Sequence, residues 1–227
     1  SARACPEAMK TASVLDMEAE LTRFRSDLPI EAASTPPASW YTHPAILARE
    51  AETVFRRSWQ YACPTDRVAE PGSYVRVDIV GDSYLVLRDQ NGVLRALSNV
   101  CRHHAAQLLE GAGCVEQLVC PYHGWTYELD GSLRSAPNMA ALKDFDRRRF
   151  RLPEVPVEVF GPLVFLHPGK VERPLADELA PLATLLAEFG GTNGLRHAHR
   201  RRYPLQCNWK GFVANYLHGG YHLAHPD

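Results

Sequence analysis

Two short stretches carry the most specific signal in this sequence: C-R-H-H at residues 101–104 and C-P-Y-H-G-W-T-Y at residues 120–127. Each contains one cysteine and one histidine, as a Cys-x-His pair in the first stretch and a Cys-x-x-His pair in the second. Thiolate sulfur and imidazole nitrogen are ligands for soft and borderline metals. A metal centre bound by both pairs would hold the two loops together. The candidate ligands are Cys101, His103, Cys120 and His123.

This donor set has two interpretations. Two cysteines and two histidines are the ligands of a Rieske [2Fe–2S] centre, in which histidines replace cysteines on one iron. A structural zinc site also accepts such a set, but usually as a Cys-Cys pair followed by a His-His pair. The mixed order favours the iron–sulfur centre. Pro121 and Gly124 suit a tight loop whose backbone approaches the cluster sulfides.

The chain has 227 residues, of which 45% are hydrophobic and 22% are charged. This is the composition of an ordinary soluble globular protein. A formal net charge of −1 argues against general affinity for nucleic acid or acidic membranes. No apolar run approaches the length of a membrane span. Free thiols and an iron–sulfur cluster both fit a reducing compartment. The cysteines outside the two pairs are Cys5, Cys63, Cys114 and Cys207.

A period-two pattern of apolar residues predicts a small antiparallel β domain around the two loops. The dipeptide Asn91-Gly92 predicts a tight hairpin turn just before the first loop. The predicted strands cover residues 74–79, 84–87, 93–97, 155–159 and 163–166.

Helical periodicity appears on both sides of this β domain. It predicts helices within residues 15–24, 40–59 and 175–189. Residues 1–39 are rich in alanine and lack the apolar core of a signal peptide. We expect a flexible N-terminal arm there, with the remainder of an organelle-targeting region as the alternative.

With these features in view, the chain resembles the Rieske non-haem iron oxygenases, and most of all the choline monooxygenase group. The resemblance covers about residues 40–227. Besides the metal loops, it rests on F-R-R-S-W-Q-Y at residues 55–61, A-P-N-M at 136–139, F-G-P-L-V-F at 160–165, C-N-W-K at 207–210 and N-Y-L-H-G-G-Y-H at 215–222.

The resemblance implies a mainly β fold with α elements. A Rieske-type antiparallel β domain would hold the [2Fe–2S] cluster, with helices flanking it and the start of an α+β catalytic domain following it. The implied boundaries are an arm at residues 1–39, a Rieske domain at 40–175 and an incomplete catalytic domain at 176–227.

In the family, the cluster feeds a mononuclear Fe(II) held by two histidines and one carboxylate. His222 stands at the first histidine position, and His225 is the nearest candidate for the second. The family usually spaces these histidines five apart, whereas here they are three apart, a spacing that still shares one face of a helix. The resemblance places the third ligand, an Asp, beyond residue 227.

Three positions distinguish the loops from those of respiratory Rieske proteins, which carry a loop disulfide and a serine hydroxyl bound to the cluster. Ala106 and Tyr122 stand where the two disulfide cysteines would be, and Trp125 replaces the serine. Fewer hydrogen bonds to the sulfurs lower the potential. We therefore expect a midpoint on the order of −150 mV, the low end of the Rieske range.

The implied function is an oxidoreductase that passes electrons from a ferredoxin or reductase to the mononuclear iron. That iron would use O₂ to hydroxylate a small organic substrate, a quaternary amine in the choline group. A homotrimer is implied, in the chloroplast stroma of a plant or alga or otherwise in the cytoplasm. The alternatives are a stand-alone Rieske electron-transfer protein and a degenerate, non-catalytic paralogue.

Two basic clusters, at residues 147–151 and 196–202, allow two interpretations. In the first interpretation, the clusters dock an acidic ferredoxin by electrostatic steering. In the second, they are solvated charged faces.

Overall fold

The computed structural model describes residues 15–139, 142–192 and 194–217. The helices are α1 (Met17–Thr22), α2 (Ser39–Thr42), α3 (Pro44–Thr53), α4 (Leu175–Glu178), α5 (Ala180–Glu188) and α6 (Trp209–Leu217). The strands are β1 (Gln60–Pro64), β2 (Ser73–Ile79), β3 (Asp82–Arg88), β4 (Leu94–Ser98), β5 (Ala112–Cys114), β6 (Leu118–Val119), β7 (Thr126–Tyr127), β8 (Leu133–Ser135), β9 (Glu154–Val155), β10 (Val157–Phe160) and β11 (Leu163–Leu166).

The described residues fall into two compact units, one within Ser1–Glu50 and Arg202–Asp227 and the other within Ala51–Arg201. The second unit holds the strands, which form three antiparallel sheets. The largest sheet has the order β5-β2-β3-β4-β9, and the two three-stranded sheets have the orders β1-β11-β10 and β6-β7-β8. This confirms the predicted fold class of antiparallel β structure with helices.

The predicted hairpin between β3 and β4 is present. Gly92 has a φ of +77°, which favours glycine, and its N–H donates to the Asp89 carbonyl at 3.0 Å. The Asp89 carboxylate accepts the N–H groups of Asn91 at 2.9 Å and Val93 at 2.8 Å. Arg95 Nε donates to the same carboxylate at 2.8 Å. The turn is therefore built around one buried acid.

Strand β3 is buried on both faces and separates two apolar cores. Leu85 and Leu87 belong to the core that contains the candidate cysteine ligands. Tyr84 and Val86 belong to a second core, shared with β1 and β11. Because successive strand residues point to opposite faces, one short strand contributes to both layers. Each fully buried leucine contributes roughly 1.5–3 kcal/mol relative to exposure.

The two longer predicted helices are each broken into two. His43 separates α2 from α3 with extended angles, φ −86° and ψ 126°. The residue before a proline is pushed out of the helical region, and Pro44 follows it. Leu179 separates α4 from α5, with φ −95° and ψ 7°, and Pro181 lies in the first turn of α5. The predicted N-terminal helix is present as α1.

In the unit formed by the chain ends, Glu50 of α3 binds the start of α6. Its carboxylate accepts Trp209 Nε1–H at 2.8 Å and forms an ion pair with Lys210 Nζ at 2.6 Å. The C-N-W-K motif thus has a structural role. Within the described part of the chain, none of the helices combines the length and the apolar character needed to cross a lipid bilayer.

The cysteines outside the metal loops differ in burial. Cys63 is buried on β1, and burial raises the pKa of its thiol to about 12. Cys114 and Cys207 are exposed, so Cys63 alone of these three cysteines is buried. Cys5 lies outside the described residues.

Candidate metal centre

The first metal loop is closed by its own backbone. It follows β4, and the Cys101 N–H donates to the Ala106 carbonyl at 2.8 Å. The Ala105 N–H donates back to the Cys101 carbonyl at 3.1 Å. These two bonds place the Cys101 side chain on the inner side of the loop, where it is 2% exposed.

The second metal loop repeats this frame between β6 and β7. The Cys120 N–H donates to the Trp125 carbonyl at 2.8 Å, and the Gly124 N–H donates to the Cys120 carbonyl at 3.0 Å. The fourth residue after each cysteine has a positive φ, +57° at Ala105 and +71° at Gly124. The loops therefore have one geometry in spite of their different Cys–His spacings.

The structure brings the predicted ligands together in two pairs, thiol with thiol and imidazole with imidazole. Cys101 and Cys120 are buried in the same core. The His103 ring is half-buried, the His123 ring is exposed, and their centroids are 4.9 Å apart. The thiols thus lie inside the domain and the imidazoles lie at its surface.

In the absence of metal, the surroundings shift the pKa values of two of the candidate ligands, Cys101 and His103. Burial raises the pKa of the Cys101 thiol, and the neighbouring Cys120 thiol adds to the rise. Burial lowers the pKa of the His103 imidazole, as do the His104 and His123 imidazoles. Metal ligation requires a neutral imidazole and a thiolate. His103 is therefore in its ligating form at neutral pH, whereas the Cys101 thiol must release its proton to solvent when a metal binds.

One buried ligand atom of the site lacks a hydrogen-bond partner within the protein. Among the residues that the structure describes, His103 Nδ1 has no hydrogen-bond partner although it is buried. A buried nitrogen without a partner destabilises the folded state, unless a group that is not part of the polypeptide, such as a metal ion, binds it. With two buried thiols nearby and the His123 ring beside it, the donor set fits a [2Fe–2S] group.

A third imidazole lies at the same place. The ligand atoms of His103, His104 and His123 all lie within 4.8 Å of one another. The His104 ring centroid is 3.9 Å from that of His103. Sequence reasoning did not include His104 in the site, although its position next to His103 was a signal. Because zinc also accepts imidazoles, metal analysis has to separate the two interpretations.

Tyr127, the last residue of the second motif, makes a contact with a candidate ligand that the sequence did not predict. Its side chain is fully buried, with the hydroxyl oxygen 3.3 Å from Cys101 Sγ. The same oxygen accepts the Arg102 N–H at 3.0 Å. Once Cys101 is a thiolate, only the tyrosine can donate, so its O–H is available to the sulfur. The site therefore has a hydroxyl donor in spite of the missing loop serine.

Trp125 covers the site from the interior. It is 2% exposed, and its ring lies parallel to that of His103, 2° from coplanar with centroids 4.6 Å apart. Phe145 and Phe150 also pack against it, with their rings nearly perpendicular to the indole. Trp125 thus shields this side of the site from water. Tyr122, in contrast, is 64% exposed.

The residues of the expected second metal site lie outside the described part of the chain. These are the predicted mononuclear iron ligands His222 and His225.

Comparison with known proteins agrees with this geometry. Residues 58–146 match the model of the Rieske [2Fe-2S] domain. The chloroplastic choline monooxygenase of Arabidopsis thaliana is 38% identical over 226 residues, which cover 94% of this chain and 53% of that protein. The chain contains a Rieske [2Fe-2S] domain and is similar to the Rieske non-haem iron oxygenases. This Rieske chain spans about half the length of the relatives it matches.

Bacterial relatives and solved structures give the same picture. The carnitine monooxygenase oxygenase subunit of Escherichia coli (strain K12) is 35% identical, over 86% of this Rieske chain and 53% of the relative. A quaternary ammonium Rieske monooxygenase in complex with gamma-butyrobetaine has a TM-score of 0.79 and 33% identity, over 86% of this chain and 57% of that chain. Naphthalene 1,2-dioxygenase gives a TM-score of 0.61 and 31% identity, over 65% and 35% of the two chains.

Proposed function

We propose that this chain is the electron-carrying portion of a Rieske monooxygenase that hydroxylates a small quaternary amine with O₂. The observation that carries the proposal is the pair of matching loops, which gather two buried thiols and two imidazoles at one place. Support for the substrate class comes from relatives named as choline and carnitine monooxygenases.

In this proposal Cys101 and Cys120 hold one iron, and His103 and His123 hold the other. A bound [2Fe–2S] cluster supplies one-electron storage. The protein side chains do the rest: Trp125 excludes water from the inner side, and burial keeps the dielectric around the sulfurs low. The exposed His123 imidazole places the histidine side of the centre at the surface, where electrons can be exchanged.

The remaining proposals concern the whole protein. We place an arm at residues 1–39, a Rieske domain at 40–175 and the start of the catalytic domain at 176–227. A mononuclear Fe(II) would be bound by His222 and His225 together with a carboxylate supplied from outside this sequence. A ferredoxin or reductase is the electron donor, the assembly is a homotrimer, and a reducing compartment fits the cluster.

The direct test is metal analysis of the purified wild-type chain beside the Cys120→Ser variant. We expect about two irons and two acid-labile sulfides per wild-type chain, with the paramagnetic signal of a reduced Rieske centre. The variant should lose both iron and sulfide. Cys114→Ser is the matched control, because Cys114 is an exposed thiol on β5. One zinc and no sulfide in the wild type would establish a structural zinc site instead.

A further inference from the structure

A basic groove lies next to the metal centre. It has a volume of about 510 Å³, and its lining includes the exposed cations Arg102, Lys143 and Arg149. The lining contains one carboxylate, that of Asp144. None of the three cations forms an ion pair with another residue that the structure describes. In a chain of net charge −1, this is a local concentration of positive charge.

Other arginines of the predicted basic cluster are already engaged. Arg148 pairs with Asp146, with 3.0 Å between Nε and Oδ1. Arg147 Nη1 donates to the Arg134 carbonyl at 2.8 Å. The cluster at residues 147–151 is therefore not one uniform charged face. Of its arginines, Arg149 is the one that lines the groove.

The floor of the groove leads to the metal centre through aromatic rings. Phe145 and Phe150 line the groove and lie against each other with centroids 4.9 Å apart. Both contact Trp125, at 5.8 Å and 5.5 Å. Trp125 stacks on His103 at 4.6 Å. A molecule seated on this floor is thus separated from a cluster ligand by two layers of side chains.

We infer that this groove docks a small acidic electron-transfer protein of the [2Fe–2S] ferredoxin class. The inference rests on the proposed function, because it names the surface through which that function receives electrons. An apolar floor with a charged rim has the anatomy of a transient protein interface. A cationic rim selects an acidic partner and accelerates its association. In each encounter the reduced ferredoxin loses one electron and the [2Fe–2S] group of this chain gains it.

The test compares two double variants with the same change in charge. Lys143→Glu with Arg149→Glu reverses two groove cations, and Arg67→Glu with Lys170→Glu reverses two exposed cations that do not line the groove. The probe is a purified acidic plant-type [2Fe–2S] ferredoxin. Binding of the oxidised, fluorescently labelled probe is followed by anisotropy over a series of salt concentrations. Anaerobic stopped-flow absorbance then measures reduction of the chain by the reduced probe and by dithionite.

We expect the groove variant to weaken binding and slow ferredoxin-dependent reduction by roughly tenfold or more, with a smaller salt dependence. Reduction by dithionite should be unchanged, and the control variant should behave like the wild type. Equal effects in both variants, an unaffected groove variant, or no binding of the probe by the wild type at low salt would each overturn the docking surface.

The binding measurement does not depend on metal content, so it separates this inference from the proposed function. A preparation that contains the cluster but shows no groove-dependent binding overturns the docking surface alone. A preparation that binds ferredoxin through the groove but contains no iron and sulfide overturns the proposed function and leaves the surface in place.

Discussion

The Tyr127 hydroxyl lies 3.3 Å from Cys101 Sγ and is held there by the Arg102 N–H. A hydroxyl that donates to a ligand sulfur stabilises the extra negative charge of the reduced cluster. We therefore expect Tyr127→Phe to lower the midpoint potential. A loss of about 1 kcal/mol of differential stabilisation corresponds to roughly 40 mV for a one-electron couple. Redox titration followed by electron paramagnetic resonance measures the shift.

Tyr74→Phe is the matched control for this prediction. Tyr74 is buried in the same core, but its hydroxyl donates to the Glu110 carbonyl at 3.1 Å. Its removal should leave the potential unchanged. Equal shifts in the two variants would show that the general polarity of the core sets the potential. We expect the wild-type midpoint to remain on the order of −150 mV, and a value above roughly +100 mV would contradict the oxygenase-type centre.

The matching frames of the two loops predict opposite effects for two glycine–alanine exchanges. Alanine at a positive φ is strained by about 1–2 kcal/mol, so Gly124→Ala should destabilise the domain by that amount. A Cβ on Gly124 would meet only Pro137 Cγ, at 3.8 Å, so crowding adds little. Ala105→Gly should relieve the same strain and stabilise the domain by up to about 1 kcal/mol.

Denaturant unfolding of both variants tests the shared geometry of the loops. Gly81→Ala is a control at a positive φ outside them, with no atom near the added Cβ. It should cost about as much as Gly124→Ala. If Ala105→Gly destabilises the protein instead, flexibility of that loop outweighs its strain.

The buried carboxylate of the β3–β4 turn predicts a dependence of stability on pH. Burial acts to raise the pKa of Asp89, but the N–H groups of Val93 and Asn91 and the Arg95 guanidinium outweigh it, and the pKa is lowered. The unfolded chain then binds more protons, so this stabilisation is present above about pH 4 and is lost as the pH falls through the lowered pKa.

We expect Asp89→Ala to cost about 1–3 kcal/mol at neutral pH, because the Asn91 and Val93 N–H groups lose their acceptor, while Arg95 keeps its ion pair with Glu154. Asp89→Asn keeps an acceptor for the backbone N–H groups and should cost less, while flattening the acid limb of the stability curve. Thermal unfolding between about pH 3 and 7 measures both effects. Asp78→Ala removes an exposed carboxylate and is expected to cost no more than about 1 kcal/mol. An acid limb that is unchanged in Asp89→Asn would assign the pH dependence to other groups.

The environment of Trp125 predicts a structural cost for its replacement by serine. The indole packs against two phenylalanines and His103, so Trp125→Ser leaves a cavity and should cost about 3–5 kcal/mol. Trp125→Phe keeps an aromatic ring and should cost less. Chemical denaturation compares them. If the two variants unfold alike, the stacking on His103 does not contribute to stability.

Sequence periodicity predicted most of the central sheet. Its strands β2, β3 and β4 have alternating or continuous apolar residues and are joined by short turns. It did not predict β5, since Ala112, Gly113 and Cys114 are all exposed and carry no apolar pattern. It also missed β1, which pairs with β11 about a hundred residues away. Such long-range pairing has no local signal.

The four candidate ligands could be read from their spacing, but the neighbours that modify them could not. Tyr127 reaches Cys101 only because β7 pairs in register between β6 and β8. The positive φ of Ala105 was hidden because alanine, unlike Gly124, does not signal it. The prolines that follow His43 and Leu179 indicated the breaks in the two helices. The apolar pattern continues across both breaks, so periodicity alone predicted continuous helices.

The backbone bonds that close each metal loop do not involve the metal. Both loops can therefore exist in the folded chain before any iron arrives, with the thiols at the bottom of the site and the imidazoles at its rim. A preformed cluster transferred from a carrier protein would meet the histidines first and the cysteines last. The burial of the four side chains thus predicts that ligand exchange during maturation begins at the histidines and ends at the cysteines.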